Sequence, residues 1–379
     1  MEIVNKLKTL RHKAYIAYFR HLPIQNNKVV MWADSQRHFG CSPKYIALCL
    51  LKRYPGQFDI VWVLDETVEV PVEIPNGIRI VKNFSMEYLK EIHTAKFVIC
   101  NMRTYDGLYW HKRSNQVYIQ TWHSSLRLKK IEGDAISSLG ENYKNAAKRD
   151  SEKIDLLLSG CKFSTDIFKR AFWYDGEIME SGTPRCDILL NDTEETRAKV
   201  FRHYGIPMDS KLALYAPTFR SNKPSDFLGM DFERLQKTLG DDWVIGARLH
   251  PNILNSVEVS GAIPMSKYPD MQELIAAADL LITDFSSCMF DMAIARKSCL
   301  LYAPDLEEYL AKERGLYFDI SALPFPVAKS MDALCKLIGH FNHEEYQKNL
   351  STFMETIGSY EDGHAAERVC NYIWNIMKK

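Results

Sequence analysis

The stretch Asp279-Leu-Leu-Ile-Thr-Asp-Phe-Ser-Ser-Cys-Met-Phe-Asp291 changes character twice within a few residues. Its apolar run, Leu280 to Ile282, is long enough for a buried strand. Small and polar residues follow at once, and an amphipathic pattern begins at Met289. Ser286 or Ser287 is a suitable N-cap for a helix at that point. The stretch therefore predicts a strand, a tight turn and a helix N-terminus.

A helix start of this kind favours anions. Its first backbone N–H groups have no partner within the helix, and the helix dipole places partial positive charge there. A phosphate group fits such a position well. An ordinary capped helix after a strand is the alternative interpretation, and it is the commoner one for Asp-x-Ser-Ser alone. The other motifs of the chain have to decide between the two.

Similar apolar runs recur on both sides of this stretch and are separated by helical patterns. They cover residues 29–33, 60–64, 78–81, 97–100, 117–120, 156–158 and 177–179, then 212–215, 243–246, 280–282 and 299–302. Continuous apolar strands alternating with helices indicate parallel sheets covered on both faces. We predict an α/β protein with two doubly wound parallel-sheet domains facing a cleft, where ligands sit beyond the carboxyl ends of the strands.

Composition limits the class of protein. The chain has 379 residues, 46% of them hydrophobic, and no formal net charge. These values exclude a disordered chain and argue against broad nucleic-acid binding. The nine cysteines are scattered and form no CxxC pair, which argues against a disulfide framework or a zinc site. No signal peptide or membrane-spanning run is evident, so we expect the protein on the cytosolic side.

We predict four segments along the chain. Residues 1–27 form a basic amphipathic helical region, which could lie on an anionic membrane surface or pack on its own domain. Residues 28–205 form an acceptor-side domain, and the break at Gly205-Ile-Pro207 precedes a donor-binding domain over residues 206–342. Residues 343–379 are expected to be C-terminal helices that pack back on the first domain.

A histidine motif follows the strand that begins at Val117. In Gln120-Thr-Trp-His-Ser-Ser125, His123 could be a general base, a donor to a phosphate oxygen, or a histidine satisfied by local hydrogen bonds. Ser124, Ser125 and Lys129 are possible nucleotide or acceptor contacts. Arg185 could bind a phosphate or carboxylate, although a structural pairing with Asp187 is at least as plausible.

The second half offers several candidate donors to a diphosphate. These are Thr218, Arg220, Arg248, His250, Thr283, Asp284, Ser286 and Ser287, with Glu307 and Arg314 as possible nucleotide contacts. No Asp-x-Asp pair stands where a metal-bridged diphosphate would need it, so we expect neither a metal nor another cofactor. Each motif is weak alone. Together they predict a nucleotide-diphosphate-dependent transferase with His123 opposite the donor.

Several motifs occur in an order typical of one family. They are Gln120-Thr-Trp-His123, Leu128-Lys-Lys130, Gly182-Thr-Pro-Arg185 with Asp187, Tyr215-Ala-Pro-Thr-Phe-Arg220, Arg248-Leu-His-Pro251, Thr283-Asp-Phe-Ser-Ser287, Tyr309 with Arg314-Gly315 and Phe318-Asp319, and Asp362-Gly363 with Arg368. In these the chain resembles the CDP-glycerol:poly(glycerophosphate) glycerophosphotransferase family of wall teichoic acid synthesis. The resemblance extends from about Ser42 to Arg368.

The resemblance implies a GT-B-type architecture and transfer of glycerol phosphate from CDP-glycerol to a hydroxyl of a membrane-linked glycan or teichoic acid, with release of CMP. It implies His123 as the catalytic base, His250 as a contact of the donor phosphates, and Ser286 and Ser287 as pyrophosphate-binding residues. A peripheral enzyme at the cytoplasmic side of the membrane is expected.

Departures from the family pattern bear on the acceptor. Ser124 stands where the family usually has Gly, and Ser125, Leu126 and Arg127 replace the usual Thr-Pro. With no long N-terminal extension, a single addition fits better than processive polymerisation. The alternatives are a CDP-ribitol-dependent transferase, a GT-B glycosyltransferase using a nucleotide sugar, and a non-catalytic scaffold for glycan synthesis.

Overall fold

The computed structural model describes residues 2–104, 109–218, 229–249, 260–312 and 315–379, with only the backbone described at 2–10 and 312. These residues form two compact units. The first contains residues 1–123, 131–187 and 360–379, and the second contains 124–130 and 188–359. The chain therefore passes between the units four times.

The described residues of the first unit form seven strands and six α-helices. The strands are β1 (Gln25–Trp32), β2 (Asp59–Leu64), β3 (Ile78–Lys82), β4 (Ala95–Cys100), β5 (Val117–Gln120), β6 (Leu156–Leu158) and β7 (Glu177–Met179). The helices are α1 (Glu2–Phe19), α2 (Cys41–Arg53), α3 (Met86–Thr94), α4 (Glu141–Ser151), α5 (Lys162–Ala171) and, at the end of the chain, α13 (Ala365–Met377). The strands are parallel, in the order β3-β2-β1-β4-β5-β6-β7.

In the second unit, the part of the chain that the structure describes forms six strands and seven α-helices. The strands are β8 (Lys211–Tyr215), β9 (Trp243–Ala247), β10 (Ile263–Pro264), β11 (Leu280–Thr283), β12 (Ser298–Tyr302) and β13 (Val327–Ala328). The helices are α6 (Thr193–Tyr204), α7 (Phe232–Leu239), α8 (Met271–Ala277), α9 (Cys288–Ile294), α10 (Leu306–Lys312), α11 (Met331–Gly339) and α12 (His343–Thr356). This sheet is also parallel, in the order β10-β9-β8-β11-β12-β13.

Both sheets are doubly wound around a central switch point. In the first, the strand order reverses between β1 and β4, and in the second between β8 and β11. The central strands are largely buried because helices cover both faces, and this explains why their sequence runs are apolar throughout rather than alternating. The predicted fold class, α/β with two doubly wound sheets of GT-B type, is confirmed. Ligands of such sheets bind beyond the carboxyl ends of the strands at the switch point.

The observed boundaries differ from the predicted ones at two helices. Helix α6 was assigned to the first domain, but Arg197 donates to the Ala277 carbonyl (2.6 Å) and pairs with Asp279 (2.9 Å), which holds the helix in the second unit. Helix α12 was expected to pack back on the first domain. Its Tyr346 instead accepts from the Cys299 N–H and donates to the Lys297 carbonyl, both at 3.1 Å, beside β12.

Helix α13 does return to the first unit, as predicted for the end of the chain. Val369, Cys370 and Ile373 are fully buried in the core that covers one face of the first sheet. The ring of Trp374 stacks on Tyr54 of the α2 C-terminus at 4.3 Å, and the Tyr54 hydroxyl donates to Asn371. The last helix therefore contributes directly to the core of the first unit.

Candidate active site

The histidine motif lies at the carboxyl end of β5, in the middle of the first sheet. The Trp122 N–H donates to the Gln120 side-chain oxygen (2.9 Å), and the Gln120 amide nitrogen donates to the Met102 carbonyl (2.9 Å). Trp122 adopts a left-handed backbone conformation with φ of 51°. Its buried ring meets the edge of Phe172 at 4.9 Å. This conformation buries the tryptophan and leaves the next residue, His123, exposed.

The ring of His123 is oriented by the neighbouring strand. Its Nδ1 lies 3.3 Å from the backbone carbonyl oxygen of Asn101, which directly follows β4. Because a carbonyl oxygen only accepts, Nδ1 carries the proton in this hydrogen bond. Nε2 is then the ring nitrogen with a lone pair. An exposed imidazole in this tautomer can take a proton from an attacking hydroxyl.

Three further residues lie at the same sheet edge, and no sequence motif singled them out. The Asp34 N–H donates to the Asn101 side-chain oxygen (2.9 Å), and the Asn101 amide nitrogen donates back to Asp34 (2.8 Å). His38 Nε2 lies 2.8 Å from the other Asp34 oxygen. Asp34, which follows β1, and Asn101 are 67 positions apart, so only the pairing of β1 with β4 brings them together.

Arg185 lies at the same edge of the first sheet. Its positive charge acts to lower the pKa of the Cys41 thiol, although burial is the larger cause and raises that pKa to about 11. The expected structural pairing of Asp187 with Arg185 stays a prediction, and Asp187 has further partners. Its two oxygens accept from the N–H groups of Ala365 (3.0 Å) and Ala366 (2.8 Å), at the start of α13.

In the second unit, the turn between β11 and α9 is held by the two polar residues that begin it. The hydroxyl of Thr283 donates to the Ala216 carbonyl (2.6 Å). One oxygen of Asp284 accepts from the N–H groups of Thr218 (2.8 Å) and Phe285 (2.6 Å). Both side chains are buried, so their observed contacts join the loop after β8 to this turn. A direct contact of Thr218, Thr283 or Asp284 with a diphosphate stays a prediction.

The two serines that follow are more accessible. Ser286 and Ser287 are half-buried, and helix α9 begins directly after them. Ser287 has helical dihedral angles and makes no capping hydrogen bond, whereas the Ser286 hydroxyl accepts from the Cys288 N–H at 3.4 Å. The predicted strand, turn and helix are confirmed, with Ser286 supplying the capping oxygen. Both hydroxyls lie at the switch-point edge of the second sheet.

The segment 124–130 connects the histidine motif to this second site along the chain. Ser124 and Ser125 are 7% and 3% exposed, which does not support their predicted contact with a ligand. Lys129 is half-buried, and its ammonium lies 5.2 Å from the ring centroid of Tyr309. That ring stacks on Phe285 at 3.7 Å, next to Ser286. Lys129 is therefore close to the predicted diphosphate site in the second unit.

Arg248 and Glu307, two other predicted ligand contacts, have partners within the protein. The guanidinium of Arg248 donates to the Tyr268 carbonyl (2.6 Å), which ties the end of β9 to the segment after β10. Glu307 pairs with Lys329 (2.6 Å) on the surface. The predictions for Arg220, His250 and Arg314 lie outside the described residues. The part of the chain described contains no cluster of three His, Cys, Asp or Glu that could hold a metal.

No described helix has both the length and the apolar character needed to cross a membrane.

Comparisons with known proteins agree with this geometry. The family model described as CDP-Glycerol:Poly(glycerophosphate) glycerophosphotransferase matches residues 14–375. A teichoic acid poly(glycerol phosphate) polymerase of Staphylococcus epidermidis is 32% identical over the whole chain, which spans only 54% of that relative's length. A teichoic acid glycerol-phosphate transferase of Staphylococcus aureus is 31% identical and is covered over its full length, by 98% of this chain.

A solved structure of the wall teichoic acid polymerase TagF has the same fold. It superposes with a TM-score of 0.87 at 31% identity, and the match covers all of this chain and 99% of that one.

Proposed function

This chain belongs to the CDP-glycerol:poly(glycerophosphate) glycerophosphotransferase family, and we propose that it transfers glycerol phosphate from CDP-glycerol to a hydroxyl of a membrane-linked teichoic acid or related glycan. The family model covers nearly the whole chain. The similar proteins from the two staphylococci and TagF are named for glycerol phosphate transfer or wall teichoic acid polymerisation. CMP is the second product of the proposed reaction.

The observation that carries the proposal is the state of His123. The side chain is exposed at the carboxyl end of β5, and its Nδ1 is hydrogen-bonded to the Asn101 carbonyl. Nε2 is therefore the ring nitrogen that carries the lone pair, as a general base requires. A base in this state suits an alcohol acceptor, which must lose its proton as it attacks phosphorus.

The proposed reaction is an in-line displacement at phosphorus. The acceptor hydroxyl attacks the β-phosphorus of CDP-glycerol, and His123 takes its proton. The bond from this phosphorus to the bridging oxygen breaks, and CMP leaves with that oxygen. Ser286 and Ser287 would donate hydrogen bonds to the diphosphate, where negative charge develops. His250 is proposed for the same role from its motif alone.

The donor is proposed to be CDP-glycerol, with CDP-ribitol as the close alternative, because both offer the same diphosphate to the second unit. The similar proteins named above favour glycerol. A hydroxyl acceptor is proposed because the similar proteins are named for teichoic acid synthesis, and teichoic acids carry free hydroxyl groups at the growing end. We propose that no metal is needed, because hydroxyl and imidazole groups can stabilise the charge of the diphosphate by donating hydrogen bonds.

The deciding experiment measures nucleotide release by the purified protein with bacterial membrane extract as acceptor. CDP-glycerol, CDP-ribitol and UDP-glucose are offered separately, with and without EDTA. We expect CMP from CDP-glycerol, in the presence of EDTA, and a loss of at least about a hundredfold in His123→Ala. His340→Ala is the matched control, because His340 is an exposed histidine at the end of α11.

The other outcomes assign the other functions. CMP from CDP-ribitol alone identifies a ribitol phosphate transferase, and UDP release from UDP-glucose identifies a glycosyltransferase. Loss of activity with EDTA contradicts the metal-free site. If no donor is turned over but CDP-glycerol binds in a calorimeter, and His123→Ala leaves the function in cells intact, the protein is a scaffold.

We also propose that the protein works at the cytoplasmic face of the membrane, held there by α1. Ile16 and Phe19 of this helix are buried, whereas Arg11, Lys13 and Arg20 are exposed. Tyr18 is 62% exposed. Cations and an exposed aromatic ring on one helix suit the interface of an anionic bilayer.

A further inference from the structure

A short segment with a strained backbone lies at the carboxyl end of β1, and none of its residues takes part in the reaction proposed above. Asp34, Ser35 and Gln36 have φ values of 44°, 58° and 65°, three consecutive residues in the left-handed region. A non-glycine residue in that region is strained, and such strain persists only where surrounding contacts enforce it. Here the Asp65 N–H donates to the Gln36 carbonyl (2.8 Å), and the Gln36 side chain accepts from the buried Asn83.

The strained segment aims the Asp34 carboxylate at Asn101. The two residues exchange a pair of hydrogen bonds, 2.9 and 2.8 Å long, one from a backbone N–H and one from the Asn101 amide. Asn101 is fully buried, so these bonds fix its position. The carbonyl of the same residue is the acceptor for His123 Nδ1. A continuous chain of contacts therefore runs from Asp34 through Asn101 to His123.

We propose that Asp34 and Asn101 are positioning residues for His123, which hold its imidazole in the tautomer with Nε2 unprotonated and stabilise the imidazolium formed when it accepts a proton. This inference rests on the proposed function, in which His123 is the base. The Asn101 carbonyl fixes the tautomer and orientation of the ring. The Asp34 carboxylate supplies the negative charge.

The charge of Asp34 is maintained by its surroundings. Burial acts to raise its pKa, but the hydrogen bond and charge of His38, the amide of Asn101 and the charge of His123 together lower the pKa to about 2. Further titratable groups at this edge include Cys41, at the start of α2, Arg185, after β7, and Asp65, after β2. Asp34 is therefore an anion throughout the range in which a histidine titrates.

The contribution of Asp34 should be moderate, because Asn101 stands between it and the ring. Removing the aspartate that touches a catalytic histidine directly costs roughly ten-thousandfold in kcat in serine proteases. Partners that act through an intervening group typically cost about 10- to 100-fold. We expect the second range for Asp34→Asn.

The test measures His123 itself. Protein carrying ¹⁵N- and ¹³C-labelled histidine is titrated by NMR, and the His123 signals are assigned with His123→Gln. In the unsubstituted protein we expect the ¹⁵N shifts of a neutral ring with protonated Nδ1. In Asp34→Asn we expect the pKa of His123 to fall by about half a unit or more, because a nearby anion favours the imidazolium. Asp65→Asn, one strand away after β2, is the matched control.

Activity gives the second readout. In Asp34→Asn, kcat for CMP release from CDP-glycerol should fall about 10- to 100-fold. The acid limb of the kcat–pH profile should move to lower pH, and the calorimetric Kd for CDP-glycerol should stay within about twofold. An unchanged pKa and tautomer of His123 in Asp34→Asn would overturn the proposal. The NMR titration does not depend on turnover of CDP-glycerol. Failure of the proposed function can therefore be distinguished from failure of the positioning role.

A second variant tests the link through Asn101. Asn101→Ala retains the backbone carbonyl but removes the side chain that Asp34 holds. We expect the ¹⁵N shifts of His123 to report a mixture of tautomers. A single Nδ1-protonated tautomer in this variant would contradict the role of Asn101, whether or not Asp34→Asn folds.

Discussion

Trp122 and His123 are adjacent, yet one ring is buried against Phe172 and the other is exposed. The difference comes from the left-handed backbone of Trp122, which Gln120 stabilises by accepting its N–H. At the scale of single residues, function here depends on backbone conformations that a sequence does not display. A tryptophan at this position anchors the turn and so keeps the catalytic candidate at the surface.

The serine hydroxyls after β11 give the first prediction. Ser286→Ala should lower kcat for CMP release on the order of a hundredfold, because one positioned donor to the developing charge is lost. The comparison is steady-state kinetics with CDP-glycerol, with Ser137→Ala as the control, since Ser137 is an exposed serine of the first unit. Equal rates for the two variants would remove Ser286 from the diphosphate site.

A buried histidine predicts how stability depends on pH. His93, in α3, is fully buried, and its Nε2 has no hydrogen-bond partner among the residues that the structure describes. Burial, outweighing the hydrogen bond from the ring to the Leu89 carbonyl, lowers its pKa to about 4. The unfolded chain therefore binds more protons than the folded one between the unfolded and folded pKa values, and stability is lost as pH falls below about 6.5.

The expected size is measurable by urea unfolding. From pH 7 to pH 5, protonation of His93 in the unfolded chain should remove about 2 kcal/mol from the free energy of unfolding. His93→Leu, which cannot be protonated, should lose less stability by about this amount over the same interval. Parallel pH dependence in the two proteins would show that other groups control acid unfolding.

Residues that stand in a motif could be proposed for the site from the sequence, whereas residues that only tertiary structure brings together could not. His123, Ser286 and Ser287 follow strands and stand in recognisable motifs, so they could be predicted. Asp34 and His38 lie in no such motif, and Asp34 meets Asn101 only because β1 pairs with β4. Arg248 looked like a phosphate donor, but its guanidinium binds backbone carbonyls. A charged side chain's partner cannot be read from its position in a pattern.

At the scale of elements, the apolar runs predicted nearly every strand. The exceptions, β10 and β13, are two residues long, too short for any periodicity to show. The wrong assignment of α12 has a related cause. The sequence pattern of an amphipathic helix indicates that one face is buried but not which sheet that face contacts. Here the Tyr346 hydroxyl accepts a hydrogen bond from Cys299 in β12, so α12 lies against the second sheet.

The start of α13 gives a prediction for an element. Asp187 accepts from two N–H groups at that end of the helix. Gly182, with φ of 83°, also approaches it closely, since a Cβ there would lie 3.3 Å from the Cβ of Ala365. Asp187→Ala should cost about 1 kcal/mol of stability, up to about 2, because the two donors lose their acceptor.

The measurement is thermal and urea unfolding of Asp187→Ala beside Asp192→Ala. Asp192 directly precedes α6, but its side chain makes no capping hydrogen bond. Asp192→Ala therefore makes the same substitution at a helix N-terminus without removing such a bond. A smaller loss in Asp187→Ala than in the control would contradict the capping role.

At the scale of the whole molecule, the exposed cations of α1 predict where the protein works. Lys13→Gln with Arg20→Gln should weaken binding to vesicles containing anionic lipid by roughly 30-fold, since each cation near such a surface contributes about 1 kcal/mol. Co-sedimentation at low salt measures this. The control is Lys162→Gln with Lys169→Gln, two exposed lysines of α5. Binding that is equal in both, or unaffected by added salt, would contradict docking through α1.

The return of α13 to the first unit also has a consequence for the order of folding during synthesis. Domains usually fold from the N-terminus as the ribosome releases them. Here the first unit lacks Val369, Cys370 and Ile373 of its core until α13 has emerged. Apart from residues 124–130, the second unit is continuous from 188 to 359 and is synthesised earlier than this helix. One face of the first sheet therefore stays incompletely covered in the nascent chain while the second unit folds. If translation stops before α13, the released protein has an incomplete hydrophobic core in its N-terminal half.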